Sequence, residues 1–371
     1  MIRYVFPILA TSTMILINYY TYSRFLKKVE FFINFKVGLK WAIVLITVLE
    51  IVFFIALKSN SLNPKIFYFI AALIGVSFML FIITLIYDFS QLLVCKFDHS
   101  RRVALKIFLD ATMVILAFSY IFKGFVDGVK KPKIKKEIVK ISNLNEPLNI
   151  VQISDVHIGK TITKEFLQEI VNSINELKAD IVAITGDLID IDAQKIKDEL
   201  DPLKDIENKY GTYFVPGNHE YFHGVDGIIE HLGKLNVKTL GNENLQVGGV
   251  NLVGVYDLLA TRMGHEKKPN LKAALKGVDR NLPTILLTHQ PKFANFVNGK
   301  DKIDLILSGH THAGQIFPFG YLVLLDQPYL YGLYNHNENT QIYVSSGTGY
   351  WGPPIRFKAP SEIVKIELRR A

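Results

Sequence analysis

Two patterns of apolar and polar positions divide the chain. Up to about residue 122 the apolar stretches are long and almost free of charge. Ile66–Tyr87 runs for 22 residues without a charged side chain, enough to cross a bilayer as a helix. Trp41–Leu57 is interrupted only by Glu50, and Tyr4–Tyr22 is uncharged although it contains Pro7. Val103–Phe122 is the weakest, with Lys106 and Asp110 inside it. The pattern predicts four transmembrane helices within residues 1–122. The first is long, begins with only Arg3 as a basic residue and is followed by no small-residue cleavage site, which argues against a signal peptide. Lys106 and Asp110 are one helical turn apart and are expected to neutralise each other within the bundle. Glu50 has no local partner and is expected to face a neighbouring helix.

From Leu148 onward the apolar runs shorten. Asn149–Ile153, Ile181–Thr185, Thr212–Val215, Thr284–Thr288 and Asp304–Leu307 read as strands, with Asn251–Val255, Gln341–Val344 and Glu362–Leu368 adding later ones. Thr163–Leu177 and Gly227–Leu235 read as helices between them. This alternation predicts an α/β domain with much of its sheet buried, over residues 148–371. The intervening residues 123–147 read as a basic linker, either lying against anionic headgroups or simply solvated.

Charge sharpens the division. Residues 1–128 hold 13 Lys and Arg against 6 Asp and Glu, whereas residues 129–371 hold 29 against 28. The formal net charge of +8 therefore belongs mainly to the apolar region, where basic residues flank membrane spans. The nearly neutral second region lacks the basic surface that long nucleic acids require, so no nucleic-acid partner is expected. Basic residues also bear on orientation. The first and third loops hold Arg24, Lys27, Lys28, Lys36, Lys40, Lys96, Arg101 and Arg102, and the opposite side holds Arg3, Lys58, Lys65, Lys123 and the cluster Lys130–Lys140. Weight given to short loops leans toward a multi-pass protein of the cell (inner) membrane with its large domain outside, although the raw count on the other side is slightly larger. The lone cysteine, Cys95, excludes an intrachain disulfide and a multi-cysteine zinc site, and its apolar surroundings suggest a small buried side chain.

Nine of the ten histidines follow residue 150, and many sit at strand ends. Asn149–Ile153 leads into Ser154-Asp155-Val156-His157, and Ile181–Thr185 into Gly186-Asp187. Thr212–Val215 leads into Pro216-Gly217-Asn218-His219-Glu220, Thr284–Thr288 into His289, and Asp304–Leu307 into Ser308-Gly309-His310-Thr311-His312. The carboxyl ends of strands form the binding crevice of an open α/β sheet, so these groups are expected to converge. Mixed imidazole and carboxylate donors favour Mn, Fe or Zn, and an Asn carbonyl oxygen can complete a shell. A pair of metal ions roughly 3.5–4 Å apart needs a bridging ligand, and Asp187 is the natural candidate. Gly186, Gly217 and Gly309 precede ligands where the chain must turn or approach closely.

On these residues the chain resembles the calcineurin-like metallophosphoesterases, whose pattern is D-x-H, G-D, G-N-H-[ED], H and G-H-x-H. The likeness covers about residues 148–370. Its closing stretches, His310-Thr311-His312-Ala313-Gly314-Gln315 and Gly347–Arg356, are similar to the G-H-T-H-G-G-Q and G-x-G-x-x-G-P-P-x-R segments of bacterial membrane-bound or exported members. Ala313 departs from the usual Gly without removing a ligand. The resemblance implies a four-layer α/β/β/α sandwich with two divalent cations. It places Asp155, His157 and His312 on the first metal, Asp187 between the two, and Asn218, His289 and His310 on the second. His219 is then a general acid or charge stabiliser beside the leaving-group oxygen.

The expected reaction is in-line attack on phosphorus by a metal-bridging hydroxide. Arg356 is a candidate phosphate contact, the alternative being a structural ion pair. His223 is either near the site or at the surface, and His231, His265 and His336 match no ligand position. Tyr350 and Trp351 are expected in the core, with a pocket mouth or membrane interface as alternatives. Three functional classes follow: a membrane-anchored phosphoesterase for phosphodiesters or pyrophosphates of lipid or cell-envelope substrates; a phosphodiesterase or nuclease for soluble substrates; and a non-catalytic sensor on an inherited fold. Tethering beside membrane lipids favours the first.

Overall fold

A computed structural model describes residues 2–56, 62–94 and 99–371, without the side chains of residues 2–6, 56, 99 and 100. Cys95, Lys58 and Lys96 lie outside the described residues. The chain forms two compact units, one of Met1–Val129 with Gly352–Phe357 and one of Lys130–Trp351 with Lys358–Ala371.

The first unit contains four helices, α1 (Ile2–Thr21), α2 (Lys36–Ala56), α3 (Pro64–Val94) and α4 (His99–Gly128). Among the described residues three helical stretches are long and apolar enough to cross a membrane, namely Glu30–Ile55, Pro64–Val94 and Arg101–Gly128. Among the described residues α1 does not join them, so three of the four expected spans are supported. The weakest predicted span is among these three, and its charged positions have partners within the unit. Lys106 Nζ lies 2.8 Å from Asp110 Oδ2, and the Tyr87 hydroxyl donates to Asp110 Oδ1 at 2.7 Å. Glu50 meets a neighbouring helix as expected, since Asn18 Nδ2 of α1 donates to its Oε2 at 2.6 Å. Large apolar side chains such as Leu9, Trp41, Phe69 and Phe118 remain exposed on these helices, an outward apolar surface suited to lipid.

Gly352–Phe357, far along the chain, completes the same unit. Arg356 donates its backbone N–H to Gly124 O at 3.0 Å, and Phe357 packs edge-on against Tyr120 with ring centroids 4.6 Å apart. Ile355 lies so close to Gly75 and Gly124 that a β-carbon at either glycine would overlap its side chain.

The second unit is built on two six-stranded sheets. Its strands are β1 (Lys133–Ile141), β2 (Leu148–Ile153), β3 (Ile181–Thr185), β4 (Thr212–Val215), β5 (Val237–Thr239), β6 (Glu243–Val247), β7 (Val250–Gly254), β8 (Thr284–Leu287), β9 (Leu305–Ser308), β10 (Gly332–Asn335), β11 (Gln341–Val344) and β12 (Glu362–Arg370). The orders are β1-β12-β2-β3-β4-β5 and β10-β11-β9-β8-β7-β6. Neighbours β2 through β5 are parallel, as are β7, β8 and β9, while β12 runs antiparallel to β2.

Strand alternation sorts the buried residues into three apolar layers. Ile150, Ile181, Leu252, Ile285 and Leu305 share one layer drawn from both sheets. On the first sheet, Val151, Val182 and Ile184 pack instead with Leu167 and Ile170 of α5 (Lys164–Glu176). On the second sheet, Val253, Leu286 and Ile306 pack with Ala274 and Phe293. The result is an α/β/β/α layering.

Residues 133–141, read from sequence as part of a basic linker, form β1, which pairs in parallel with β12 from Lys133↔Glu362 to Ile141↔Arg370. Val139 and Ile141 are buried while Lys133, Lys136 and Lys140 remain in solvent. Lysines protect a sheet edge against unwanted pairing, and here they disguise the strand as a spacer. The strands β5, β6 and β10 were also not predicted.

Candidate metal centre

Parallel pairing carries the ends of β2, β3 and β4 to one edge of the first sheet, and that of β8 and β9 does the same in the second. The five polar strand ends meet there. Potential ligand atoms of Asp155, His157 and His312 lie within 4.8 Å of one another, as do those of Asp187, His289 and His310. Asp187 also groups with His157 and His219.

The backbone reaches this arrangement through an unusual conformation. Asp155, His157, Asp187, His310 and His312 have φ of 54°, 57°, 49°, 71° and 48°, in the left-handed region that costs a non-glycine residue roughly 1–2 kcal/mol. Surrounding hydrogen bonds hold it in place. Asp155 N–H donates to Gly186 O and His157 N–H to Asp187 O, both at 3.0 Å. His310 N–H donates to the Asp155 carboxylate at 3.0 Å. Ala313, where the resembling motif has Gly, also lies at φ 53° and is buried.

Gly309 is fixed by crowding rather than by torsion, since a β-carbon there would overlap Ser154 Oγ and Asp155 Oδ2. Gly309→Ala is expected to destabilise the protein by about 1–3 kcal/mol and to weaken metal binding. Thermal unfolding of the full chain with and without Mn²⁺ measures both, and an unchanged response to Mn²⁺ would contradict the close approach.

The donor set suits cations. His289 Nδ1 donates to Thr185 O at 2.8 Å, which turns Nε2 toward the centre. That Nε2 faces Asn218 Oδ1 at 3.1 Å, His310 Nδ1 at 3.1 Å and Asp187 Oδ2 at 3.2 Å. On the other side His157 Nε2 faces His312 Nε2 at 3.1 Å, and His312 Nε2 lies 3.4 Å from Asp155 Oδ1. Lone pairs thus converge in two places, an arrangement that protons or cations must neutralise. Burial opposes the charge on His289, but Asp187 outweighs it and holds the imidazole well above its ordinary range. Burial and the neighbouring His289 charge push His310 down to about 3. Burial also works against the Asp187 anion, which His289 and His219 nevertheless hold well below the usual carboxylate range.

Two further acids organise the cluster, and the sequence did not single them out. Asp190 Oδ1 accepts from His157 Nδ1 at 3.1 Å and from His219 Nδ1 at 2.6 Å. It therefore orients both rings and aims each Nε2 inward, 3.9 Å from Asp187 Oδ2. The wholly buried Glu220 accepts backbone N–H groups of Asp187, Leu188 and Gly217 at 3.0, 2.8 and 2.6 Å. The only sequence hint of Asp190 is its place three residues beyond Asp187, and Glu220 appears simply as the acid after His219.

The other candidates separate. Trp351 is not a core residue: it is 44% exposed, pairs with Gln315 through two 2.9 Å hydrogen bonds, and meets the His219 ring edge-on at 6.0 Å. Tyr350 packs against the core beside α5. His223 bonds Asp192 at 3.2 Å and groups with Asp190 and His219. His231, His265 and His336 are half-buried and belong to no such group among the described residues. Arg356 is wholly buried and belongs to the same compact unit as the helices.

Comparison with known proteins agrees with this chemistry. Residues 148–314 match the family profile described as calcineurin-like phosphoesterase. A metallophosphoesterase of Helicobacter pylori is 44% identical over 330 residues, covering 88% of each chain. One of Campylobacter jejuni is 35% identical over 373 residues, covering 100% of this chain and 99% of that protein. A transmembrane protein with metallophosphoesterase domain from Danio rerio is 37% identical over 263 residues, 67% of this chain and 60% of its own length.

Proposed function

This chain belongs to the calcineurin-like metallophosphoesterases, and on that premise we propose that it is a membrane-anchored dinuclear enzyme hydrolysing phosphodiester or pyrophosphate bonds of a lipid or cell-envelope substrate. The observation that carries this reading is the pair of donor sets Asp155–His157–His312 and Asp187–His289–His310, linked by Asp187, which also groups with His157. Asp155, His157 and His312 are assigned to one cation and Asn218, His289 and His310 to the other, with Asp187 common to both. Two divalent cations, of Mn, Fe or Zn type, supply a nucleophile at neutral pH and neutralise phosphate charge.

The chain's own groups do the rest. The strained turns hold the donors in fixed directions, and Asp190 orients His157 and His219 from behind. Burial disfavours a charged His219, but Asp190 and Asp187 outweigh it and raise the imidazole to about 10. Its Nε2, aimed inward beside Asp187, is assigned as the proton donor for the departing oxygen. The three candidate spans and the relative described as a transmembrane protein support anchoring. We place the chain in the cell (inner) membrane with the catalytic unit outside, from the charges of the short loops.

The test is metal stoichiometry of the full chain loaded with Mn²⁺, alongside hydrolysis of a phosphodiester, a phosphomonoester and a lipid pyrophosphate. Two metals with preference for diester or pyrophosphate bonds are expected; a metal-free, inactive protein would refute the reading. His219→Ala is expected to keep both metals and lose about 10²–10⁴-fold in rate on alkyl leaving groups, with a smaller loss on nitrophenyl esters. Equal losses on both would remove His219 from the acid role.

A further inference from the structure

Outside the helical unit, exposed apolar surface concentrates in one short segment. Phe317–Leu325 is nine residues long and contains no charge. Six of its side chains, Phe317, Phe319, Tyr321, Leu322, Leu324 and Leu325, are exposed, Leu325 to 84% and Tyr321 to 66%. Contiguous apolar surface of this kind marks an interaction site rather than ordinary scatter.

Most of the segment's N–H groups are already bonded within it or just before it. Phe319 donates its N–H to Ile316 O, Tyr321 to Pro318 O, Leu322 and Val323 to Phe319 O, and Leu324 to Gly320 O, at 2.9–3.2 Å. An element that enters a medium without water must meet this condition. Gly320, buried at the centre of the segment, packs beneath Leu330. Lys358 Nζ lies 5.0 Å over the Phe317 ring, a cation beside aromatic and aliphatic groups, as at a membrane interface.

We propose that Phe317–Leu325 is an interfacial membrane-docking element, which enters the headgroup region of a bilayer containing anionic lipid. Lipid is the favoured occupant because the same chain carries three helices able to cross a membrane, so the second unit is permanently tethered beside a bilayer. The Lys358 flank matches anionic headgroups. An element of this type buries its apolar face roughly 5–10 Å into the interface. The segment begins five residues after His312, so docking would bring the cluster's own loop to the lipid surface and present headgroup phosphoesters to it.

The inference rests on the membrane-anchored reading, but its test involves no catalysis. The full chain carrying Cys95→Ser is spin-labelled at one of three positions, Leu325→Cys, Leu85→Cys on α3 or Lys234→Cys on the solvent face, and reconstituted into phosphatidylcholine–phosphatidylglycerol vesicles. Collision with oxygen and with a water-soluble nickel chelate reports the surroundings of each label. A several-fold higher oxygen-to-nickel ratio at 325 than at 234 is expected, and Leu322→Asp in the same chain should return the 325 label to water. A 325 label as aqueous as that at 234, while 85 is in lipid, would overturn docking and leave anchoring intact. An aqueous label at 85 would overturn anchoring and docking together. A 325 label shielded from both probes in detergent as well as in vesicles would identify a protein contact instead and overturn the lipid assignment.

Discussion

Replacing Asp187 with Asn is expected to abolish phosphoester turnover and lower metal content, because one change weakens both halves of the centre. Asn has the same shape and still offers an oxygen to the His219 N–H, which Asp187 Oδ1 accepts at 2.8 Å. What it lacks is the anion. Asp187 Oδ2 lies 3.2 Å from His289 Nε2 and 3.9 Å from the Nε2 atoms of His157 and His219, so imidazoles from three strand ends are arranged around a single negative charge. Loss of a residue that merely supports a ligand costs about 10–100-fold in metal affinity or activity, and loss of a shared ligand should exceed that. Metal analysis with single-turnover kinetics decides the matter. Two tightly bound metals with activity within tenfold of the native enzyme would remove Asp187 from the bridging position.

The largest effect on stability is expected from Glu220→Ala. The carboxylate is wholly buried and accepts three backbone N–H groups from the loop that carries Asp187 and from the start of the next helix. Burial and the adjacent Asp187 charge raise its carboxyl to about 7. Truncation leaves those donors without partners in a dry place, at about 1–3 kcal/mol for each group left unsatisfied. A total loss of roughly 3–6 kcal/mol follows, equivalent to a fall in Tm on the order of 10 °C for a unit of this size. Glu220→Gln keeps an acceptor on one side only, facing its amide NH2 to the other donors, and should lose less than Ala. Thermal unfolding of the full chain tests this, and a change below about 1 kcal/mol would show that water or neighbouring groups replace Glu220 readily.

The contrast between Asp187 and Glu220 shows how much the sequence makes legible. Buried parallel strands read as short apolar runs, and a ligand placed directly after such a run announces itself. Asp155, Asp187, Asn218, His289 and His310 therefore stood out, and the cluster does bring them together. Asp190 and Glu220 act through hydrogen bonds to groups that fold brings near, and an acid in a loop has many ordinary explanations. Strand β1 escaped for a different reason. Its Lys133, Lys135, Lys136 and Lys140 belong to a sheet edge, so local composition described its solvent side and hid its pairing. In the helical region, spans were visible from hydropathy. Nothing in the sequence revealed that Gly352–Phe357 rejoins that unit, because the contact is set by the shapes of Gly75 and Gly124 against Ile355.

That rejoining makes the protein hard to cut. The backbone passes between its two units at residues 129–130, 351–352 and 357–358, so removing everything before Lys130 would sever one connection and strand the other two. Ile355 and Arg356, both without exposed surface in the intact chain, would lose the helices around them, and the Arg356 N–H would lose its carbonyl partner. A truncated catalytic fragment would therefore carry a six-residue adhesive loop of its own, and its insolubility would say nothing about whether the phosphoesterase half can fold.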